Sequence, residues 1–265
     1  MRLLAAHGLR PDTDLGQHFL LDENLVDLSL RAGEVGPGDV ALEVGPGLGV
    51  LTVALARRAR LVHAIELDRR LEPALADALA GVDNVRLQWG DAMRADLEGL
   101  DPAPTRLVAN LPYDIATPLM VESLWRLPSV EVWCVMVQRE VADRWLAGPG
   151  SRLYGGASVL IGLCAEPAFR RAVGREVFTP RPRVDSALVA LRRTGPAPSP
   201  ATRSLVRAAF GQRRKTLANA LAGAGADKGE VAAALADLRI APGARAADLP
   251  PEAFTALAER LAWSA

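Results

Sequence analysis

Two short stretches carry residue types that could do chemistry together. Asn110-Leu-Pro-Tyr113 sets a side-chain amide oxygen, main-chain carbonyls beside a proline and an aromatic ring within four residues. An amine on an aromatic ring is a poor nucleophile, because its lone pair is delocalised into the ring. The Asn110 oxygen and the carbonyl of Leu111 or Pro112 could accept the two hydrogens of such an amine. That favours a pyramidal nitrogen whose lone pair can be aimed at an electrophile. Proline fixes the backbone so that a carbonyl faces the site, and Tyr113 offers a face on which a splayed-out planar ring can stack. Once alkylated, such a nitrogen is acidic enough to lose its proton unaided, so the rate depends chiefly on proximity and orientation.

The second stretch is Glu43-Val-Gly45-Pro-Gly47-Leu-Gly49, which opens into a helical pattern. Glycines let the backbone approach a ligand at a helix N-terminus, where N–H groups lack partners. The dinucleotide fingerprint spaces its glycines G-x-G-x-x-G, whereas here they fall at 45, 47 and 49 with an acid ahead of them. Glu66 follows about 20 residues on, where a carboxylate can accept from both hydroxyls of a ribose. Asp91, with Ala92, ends the next strand unit and could accept from an adenine amine.

Both stretches must be delivered to one rim by the elements between them. From Val40 onward, apolar runs of strand length (Val40–Val44, Leu61–Glu66, Val85–Trp89, Arg106–Asn110 and Val130–Val137) alternate with helical patterns over about 50–59, 69–80 and 115–127. The alternation predicts parallel strands joined by crossover helices, a doubly wound α/β sheet. Such sheets bind ligands beyond the carboxyl ends of their strands. A helix is expected around Asn24–Ala32, with Asp22 as its N-cap. After Val137 come a helical stretch to Ala147, a loop over Gly148–Gly156 and two extended segments, Ala165–Arg171 and Ser186–Arg192. The breaker-rich Thr194–Pro200 reads as a linker. Beyond it, helical periodicity over Ala201–Phe210, Arg214–Gly223, Gly229–Leu238 and Pro251–Ala262 predicts a bundle of about four short helices. The expected domains are therefore a catalytic domain over 1–193, a linker over 194–200 and a helical domain over 201–265.

The 265 residues suffice for one α/β domain plus such a module. No run approaches the roughly 20 apolar residues of a membrane span, and Met1–Asp14 lacks an apolar leader core, so a cytoplasmic protein with no membrane partner is expected. Cys134 and Cys164 each lie in an apolar run and read as packing thiols. His7, His18 and His63 are scattered without ligand spacing, so no metal is expected. With no long apolar face beyond the needs of the core, a monomer is the expectation. Formal net charge is zero, yet residues 1–180 hold 18 Lys and Arg against 24 Asp and Glu, and residues 181–265 hold 13 against 7. The second part is the candidate for phosphate contact. Within it, Arg213, Arg214 and Lys215 put three cations on one turn, a type of cluster that binds phosphates.

Together these features resemble the ribosomal RNA adenine dimethyltransferases, and within them the enzymes of the small subunit. The E-x-G-x-G-x-G run is similar to the first motif of class I methyltransferases. The resemblance begins at Gly16-Gln-His-Phe-Leu20, where the family often has Asn in place of His18. It continues through Asn110-Leu-Pro-Tyr-Asp-Ile-Ala-Thr-Pro118 (Asp114 replaces a common Asn), Gln138-Arg-Glu140 and Tyr154-Gly155. Phe178-Thr-Pro-Arg-Pro-Arg-Val-Asp-Ser186 follows, with Arg181 where Pro is frequent, and then Phe210-Gly-Gln-Arg-Arg-Lys-Thr-Leu217 as the opening of a helix.

The resemblance implies a class I methyltransferase (Rossmann-like) doubly wound sheet with a small C-terminal all-α domain. It implies S-adenosyl-L-methionine as donor, S-adenosylhomocysteine as product and no metal. Gln17, His18, Leu20, Glu43, Gly45, Gly47, Gly49, Glu66, Leu67, Asp91, Ala92 and Asn110 would surround the cofactor. Asn110, Leu111, Pro112 and Tyr113 would hold the target base, with Phe178 covering its other face, and Arg139, Arg213, Arg214 and Lys215 would contact RNA. The implied activity is N6-dimethylation of two adjacent adenosines in the 3′-terminal hairpin of 16S rRNA, on the immature 30S subunit. Two alternatives stay open. One is the large-subunit enzymes of macrolide resistance, which commonly have Ile at the position of Leu111 and lack the Gln-Arg-Arg-Lys-Thr helix. The other is an assembly factor acting mainly by binding.

Overall fold

The computed structural model describes residues 7–12 and 16–264, so the expectation for a leader segment falls largely outside the described residues. The chain divides into two compact units. One runs to Ala142 and resumes over Pro167–Arg193; the other joins Asp143–Glu166 to the chain from Thr194 onward.

The first unit is built on a seven-stranded sheet. Its strands are β2 (Val40–Val44), β3 (Leu61–Glu66), β4 (Val85–Trp89), β5 (Arg106–Asn110), β6 (Val132–Gln138), β7 (Ala165–Val173) and β9 (Ser186–Arg193), in the spatial order β4-β3-β2-β5-β6-β9-β7. Strands β4, β3, β2, β5 and β6 are mutually parallel, and β9 runs antiparallel to β6 with Gln138 opposite Ser186. Every residue of β2 is buried, as a central parallel strand covered on both faces requires. A second, two-stranded sheet pairs β1 (Phe19–Leu20) antiparallel with β8 (Phe178–Thr179), setting Leu20 opposite Phe178. Nothing in the sequence reading anticipated it, because two-residue strands leave no periodic signal.

Helices α1 (Glu23–Ala32) and α2 (Val50–Ala56) share one core with Ala41, Val62, Val108, Cys134, Met136 and Leu188. Asp22 caps α1 as expected, accepting from Leu25 N at 3.0 Å. Side chains alternate along β6, so Trp133 points to the opposite face. There its indole N–H donates to Ser123 Oγ of α4 (Ala116–Arg126) at 2.9 Å. Between β3 and β4 the chain makes a short 3₁₀ turn over Arg69–Leu71 and then α3 (Glu72–Ala78). Both cysteines are buried, and burial lifts the Cys134 thiol to about 12. No helix of the described residues is long and apolar enough to cross a membrane, and no group of three metal-ligating side chains occurs among them.

The second unit holds α6 (Gly156–Gly162), α7 (Pro200–Phe210), α8 (Leu217–Ala222), α9 (Lys228–Asp237) and α10 (Pro251–Arg260); α5 (Arg139–Trp145) runs from the first unit into it. Tyr154 meets Phe210 edge to face and Phe210 lies tilted against Phe254 in its core, with centroids 6.0 and 5.7 Å apart. The sequence reading differs here in three ways. It left 157–164 unassigned and inside the first domain, yet its apolar run forms α6, which lies so close to its neighbours that a Cβ on Gly162 would stand 3.1 Å from Pro251. The expected linker is shorter, because Ser199 already caps α7 by accepting from Thr202 N. The helix expected from Arg214 starts only at Leu217, where Thr216 accepts from Asn219 N, so Arg213–Lys215 lie in the preceding turn.

Arg193 ties the far end of β9 to the sheet. Its guanidinium lies 4.7 Å from the Trp133 ring centre and donates to the carbonyls of Val130, Leu124 and Leu127. Arg193→Ala removes the donors to those carbonyls, of which Leu127 O still accepts from Val130 N, and the cation from the ring, and should cost about 2–4 kcal/mol in urea unfolding. Arg193→Lys, which lacks the planar fork, should recover only part of that loss; no loss in the alanine variant would show the contact to be incidental.

Candidate active site

Strand β2 lies beside β5, with Ala41 opposite Arg106 and Leu42 opposite Leu107. The loops leaving their carboxyl ends are therefore neighbours. One is the glycine turn and the other is Asn110–Tyr113. They meet across Gly45, which has φ +74° and where a Cβ would lie 3.5 Å from Pro112 Cγ and Cδ. Both loops line one cavity, together with Gln17, His18, Leu20, Glu66, Leu67, Asp91 and Ala92.

The acids of this cavity differ in how they are satisfied. Glu66 Oε2 accepts from Gly47 N at 3.0 Å, and Oε1 accepts from Asp68 N at 2.9 Å, so this side chain ties the glycine turn to the end of β3. Burial nevertheless raises its pKa. Glu43 is 1% exposed, and burial pushes it up to about 8, with the charge of Glu66 adding to the rise. Its Oε2 meets no hydrogen-bond partner; the Thr52 hydroxyl is likewise unpaired, yet lies near enough to hold the rise back. Asp91 Oδ1 accepts from Met93 N, and Oδ2 stands 3.7 Å from Arg94 Nε at the exposed rim.

Sequence reasoning missed Asp68. It also lines the cavity, and it accepts from Arg70 Nε at 2.7 Å and Gln17 Nε2 at 2.7 Å. The Arg70 guanidinium holds its carboxyl below the usual range. Gln17 in turn accepts from Asp12 N. The available signal was the spacing Glu66-Leu-Asp68, two acids on one side of an extended strand end.

In the loop after β5, Asn110 Nδ2 donates to His18 O at 2.9 Å, which fixes the amide so that Oδ1 lies on its other side. Leu111 is buried, and its N–H donates to Met136 O of β6. Pro112 O accepts from Ile115 N at a long 3.3 Å, closing the turn into α4. The Tyr113 hydroxyl lies 3.1 Å from Ser186 Oγ, and burial raises its pKa. The ring beside it is His18, with centroids 5.5 Å apart and planes tilted by 33°, while His18 Nδ1 lies 2.7 Å from Pro180 O.

Three of the expected site residues, Phe178, Gly49 and Arg139, the last expected at RNA rather than in the cavity, stand outside the cavity lining. Phe178 is 3% exposed and does not line the cavity: paired with Leu20 across β1 and β8, it packs in the core with Met136 and Leu188. Gly49 does not line it either. It precedes α2 at φ +77°, and a Cβ there would stand 3.1 Å from Ala78 Cβ, so it serves helix packing. Arg139 is exposed beside Asp185 at 3.5 Å, away from the cavity lining. In the second unit, Arg213 donates to the carbonyls of Arg152 and Tyr154, so one of the three clustered cations holds a loop, while Arg214 and Lys215 are exposed.

Comparison with known proteins agrees with this architecture. The family model described as ribosomal RNA adenine dimethylase matches residues 8–262. A protein of Rubrobacter xylanophilus named ribosomal RNA small subunit methyltransferase A is 47% identical, over 97% of this chain and 98% of its own. A namesake in Moorella thermoacetica is 44% identical over 98% and 96%. Among solved structures, a dimethyladenosine transferase from Plasmodium falciparum superposes with a TM-score of 0.76 at 25% identity, over 91% of this chain and 96% of that one. The 23S rRNA methyltransferase ErmE gives 0.67 at 31% identity, over 92% and 99%. The sheet is thus a class I methyltransferase fold, and with a match spanning nearly all of its length the chain belongs to the ribosomal RNA adenine dimethylase family.

Proposed function

We propose that the chain uses S-adenosyl-L-methionine to dimethylate N6 of two adjacent adenosines in the 3′-terminal hairpin of 16S rRNA, acting on the immature 30S subunit. The observation that carries this reading is the single cavity lined by both the glycine turn and Asn110–Tyr113. A ligand cradle and an amine-holding loop lining one cavity would serve a single reaction. The small-subunit target is favoured over the large one by relatives at 44% and 47% identity against 31% for ErmE. Leu111 and the Gln212–Thr216 turn, both absent from the large-subunit pattern, point the same way.

The residues present fit the donor. A buried carboxylate oxygen without a partner, on Glu43, faces a cavity also lined by Glu66, Asp68 and Asp91. Such a site favours a cationic guest. When bound, the donor supplies a sulfonium methyl as the electrophile. Gly45 and Gly47 would cradle its amino-acid end, Glu66 its ribose, and Asp91 with Ala92 and Leu67 its adenine, while Gln17, His18 and Leu20 close the wall. Asn110 Oδ1 and the carbonyl of Leu111 or Pro112 would hold the target amine, and Tyr113, anchored on Ser186, would stack on the base. No side chain is required as a strong base. Arg214 and Lys215 would contact phosphate.

The direct test is to incubate the purified chain with unmethylated small subunits and labelled donor, then analyse the nucleosides. Dimethyladenosine in the small-subunit RNA is expected, and label confined to the large subunit would reject the assignment.

The orientation of Asn110 can be tested separately. Asn110→Asp cannot donate to His18 O when ionised, so kcat should fall about 10- to 100-fold, in line with a lost bond of roughly 1–3 kcal/mol. Lowering the pH protonates the new acid and should restore part of the rate, whereas Asn110→Ala should show no such recovery. Identical pH profiles for the two variants would remove the orienting role.

Glu43 generates a pH signature. Its pKa is about 8 in the fold against 4.5 unperturbed, so above about 4.5 the unfolded chain ionises while the folded chain keeps its proton. This group therefore subtracts stability progressively as pH rises through 8. Melting temperature should decline across that window more steeply in the wild type than in Glu43→Gln. Donor binding near pH 7 should release a proton only in the wild type, measured calorimetrically in two buffers; equal proton release by both would place the titration elsewhere.

A further inference from the structure

The charge imbalance of the chain changes meaning once it is mapped onto the units. Residues up to Ala142 hold 13 Lys and Arg against 21 Asp and Glu, whereas Pro167–Arg193, in the same unit, holds seven arginines against two acids. Half of the basic excess that the sequence assigned to the C-terminal part therefore belongs to the first unit, and it is concentrated between β7 and β9.

Arg171, Arg175, Arg181 and Arg183 are all exposed. Among the described residues none of the four pairs with a carboxylate, in contrast to Arg70, Arg106, Arg126 and Arg192 of the same unit. Arg175 Nη1 donates instead to Arg183 O, drawing the two ends of the segment together. Glu176 is the one acid between Arg171 and Arg183.

The position of this segment is fixed by contacts to the cavity wall. Strand β8 pairs with β1, Pro180 O lies 2.7 Å from His18 Nδ1, and Ser186 Oγ lies 3.1 Å from the Tyr113 hydroxyl. Arg181 and Arg183 are thus held between two residues that touch the lining, with Pro180 and Pro182 restricting the backbone around them. A base inserted beside Tyr113 leaves its own sugar and phosphates outside, at that rim. The rest of the unit is acidic and repels a polyanion, so cations are needed where the backbone enters.

We infer that Arg171, Arg175, Arg181 and Arg183 form a phosphate-gripping surface through which the catalytic unit holds the RNA strand on either side of the base in the cavity. Guanidinium forks suit phosphate oxygens. The inference rests on the function proposed above and adds a second RNA contact to the one expected of Arg214 and Lys215.

The test uses the full chain and a protein-free, unmethylated 3′-terminal fragment of small-subunit rRNA. Wild type, Arg171→Gln/Arg181→Gln/Arg183→Gln and a control of equal charge loss, Arg31→Gln/Arg57→Gln/Arg58→Gln, are titrated over a range of KCl concentrations. Each phosphate contact contributes about 0.7–0.9 to the slope of log affinity against log salt. The rim variant should lose about 2 from that slope and at least about tenfold in affinity, with a raised KM for subunits and a kcat less affected. Its melting temperature and donor affinity should stay at wild-type values, as should the control's RNA binding. An unchanged slope in the rim variant, or an equal loss in the control, would overturn the surface. A loss seen with whole subunits but absent with naked RNA would make the partner a ribosomal protein and overturn it too. Failure of the wild type to bind or methylate rRNA at all would instead sink the functional reading beneath it.

Discussion

The adjacency of β2 and β5 is the constraint on which the site depends. In a doubly wound sheet the chain leaves these two neighbouring strands in opposite directions, and a crevice opens between the departing loops. For both loops to line one cavity, the chain leaving β2 must turn sharply beside the Pro112 ring. Gly45 makes that turn at φ +74°, a left-handed conformation that glycine adopts without strain, and a Cβ there would stand 3.5 Å from the Pro112 ring. The neighbouring loop then carries Asn110, whose amide reaches the His18 carbonyl, and Tyr113, which lies beside Ser186. The sheet supplies position, and the glycine supplies the turn.

The same crevice gathers carboxylates where water is scarce, and the fold treats them unequally. Glu66 and Asp68 are satisfied by backbone N–H groups, Gln17 and Arg70. Glu43 retains an oxygen with no partner. A buried polar group without a hydrogen bond costs stability, and a packed apolar residue at the same place would avoid the cost. Retaining the acid makes sense where a ligand supplies the missing partner, and a positive guest would reverse the desolvation that holds the proton on Glu43. Stability is thus given up at the position where a cationic ligand would restore it.

How legible this was depends on the range of the forces involved. Four strands, from Val40–Val44 to Arg106–Asn110, follow from apolar runs bounded by breakers, and the structure places them at those residues. Acids at successive strand ends were equally readable, because the sheet itself aligns them. Asp68 was not, since its role comes from Arg70 and Gln17 folding onto it, a tertiary event. Phe178 was read as a base-stacking ring, yet register decides its direction: pairing with Leu20 turns it into the core, and no local pattern reports a two-residue pairing. Gly49 shares a motif with Gly45 but answers to Ala78 and Leu75, residues that a repeating spacing cannot foresee. The cations after Phe210 were placed on a helix by periodicity, whereas Thr216 caps the helix only beyond them.

On the function proposed above, a cationic donor and a polyanionic acceptor would meet at one cavity, which needs opposite electrostatic fields side by side. At physiological salt, exposed charges are screened beyond about 8 Å, while buried ones are screened far less. The structure separates the two demands by depth. Glu43, Glu66 and Asp68 are sunk at the strand ends, where low dielectric keeps their influence strong and local, and the arginines of the β7–β9 segment stand in solvent. Reversing the arrangement would fail twice: exposed acids would repel the strand before a base could enter, and buried arginines would repel the donor. Membership of a basic or acidic part of the sequence therefore says less about RNA contact than the depth at which each charge is held. A catalytic unit that is acidic in total can still present the face that RNA meets.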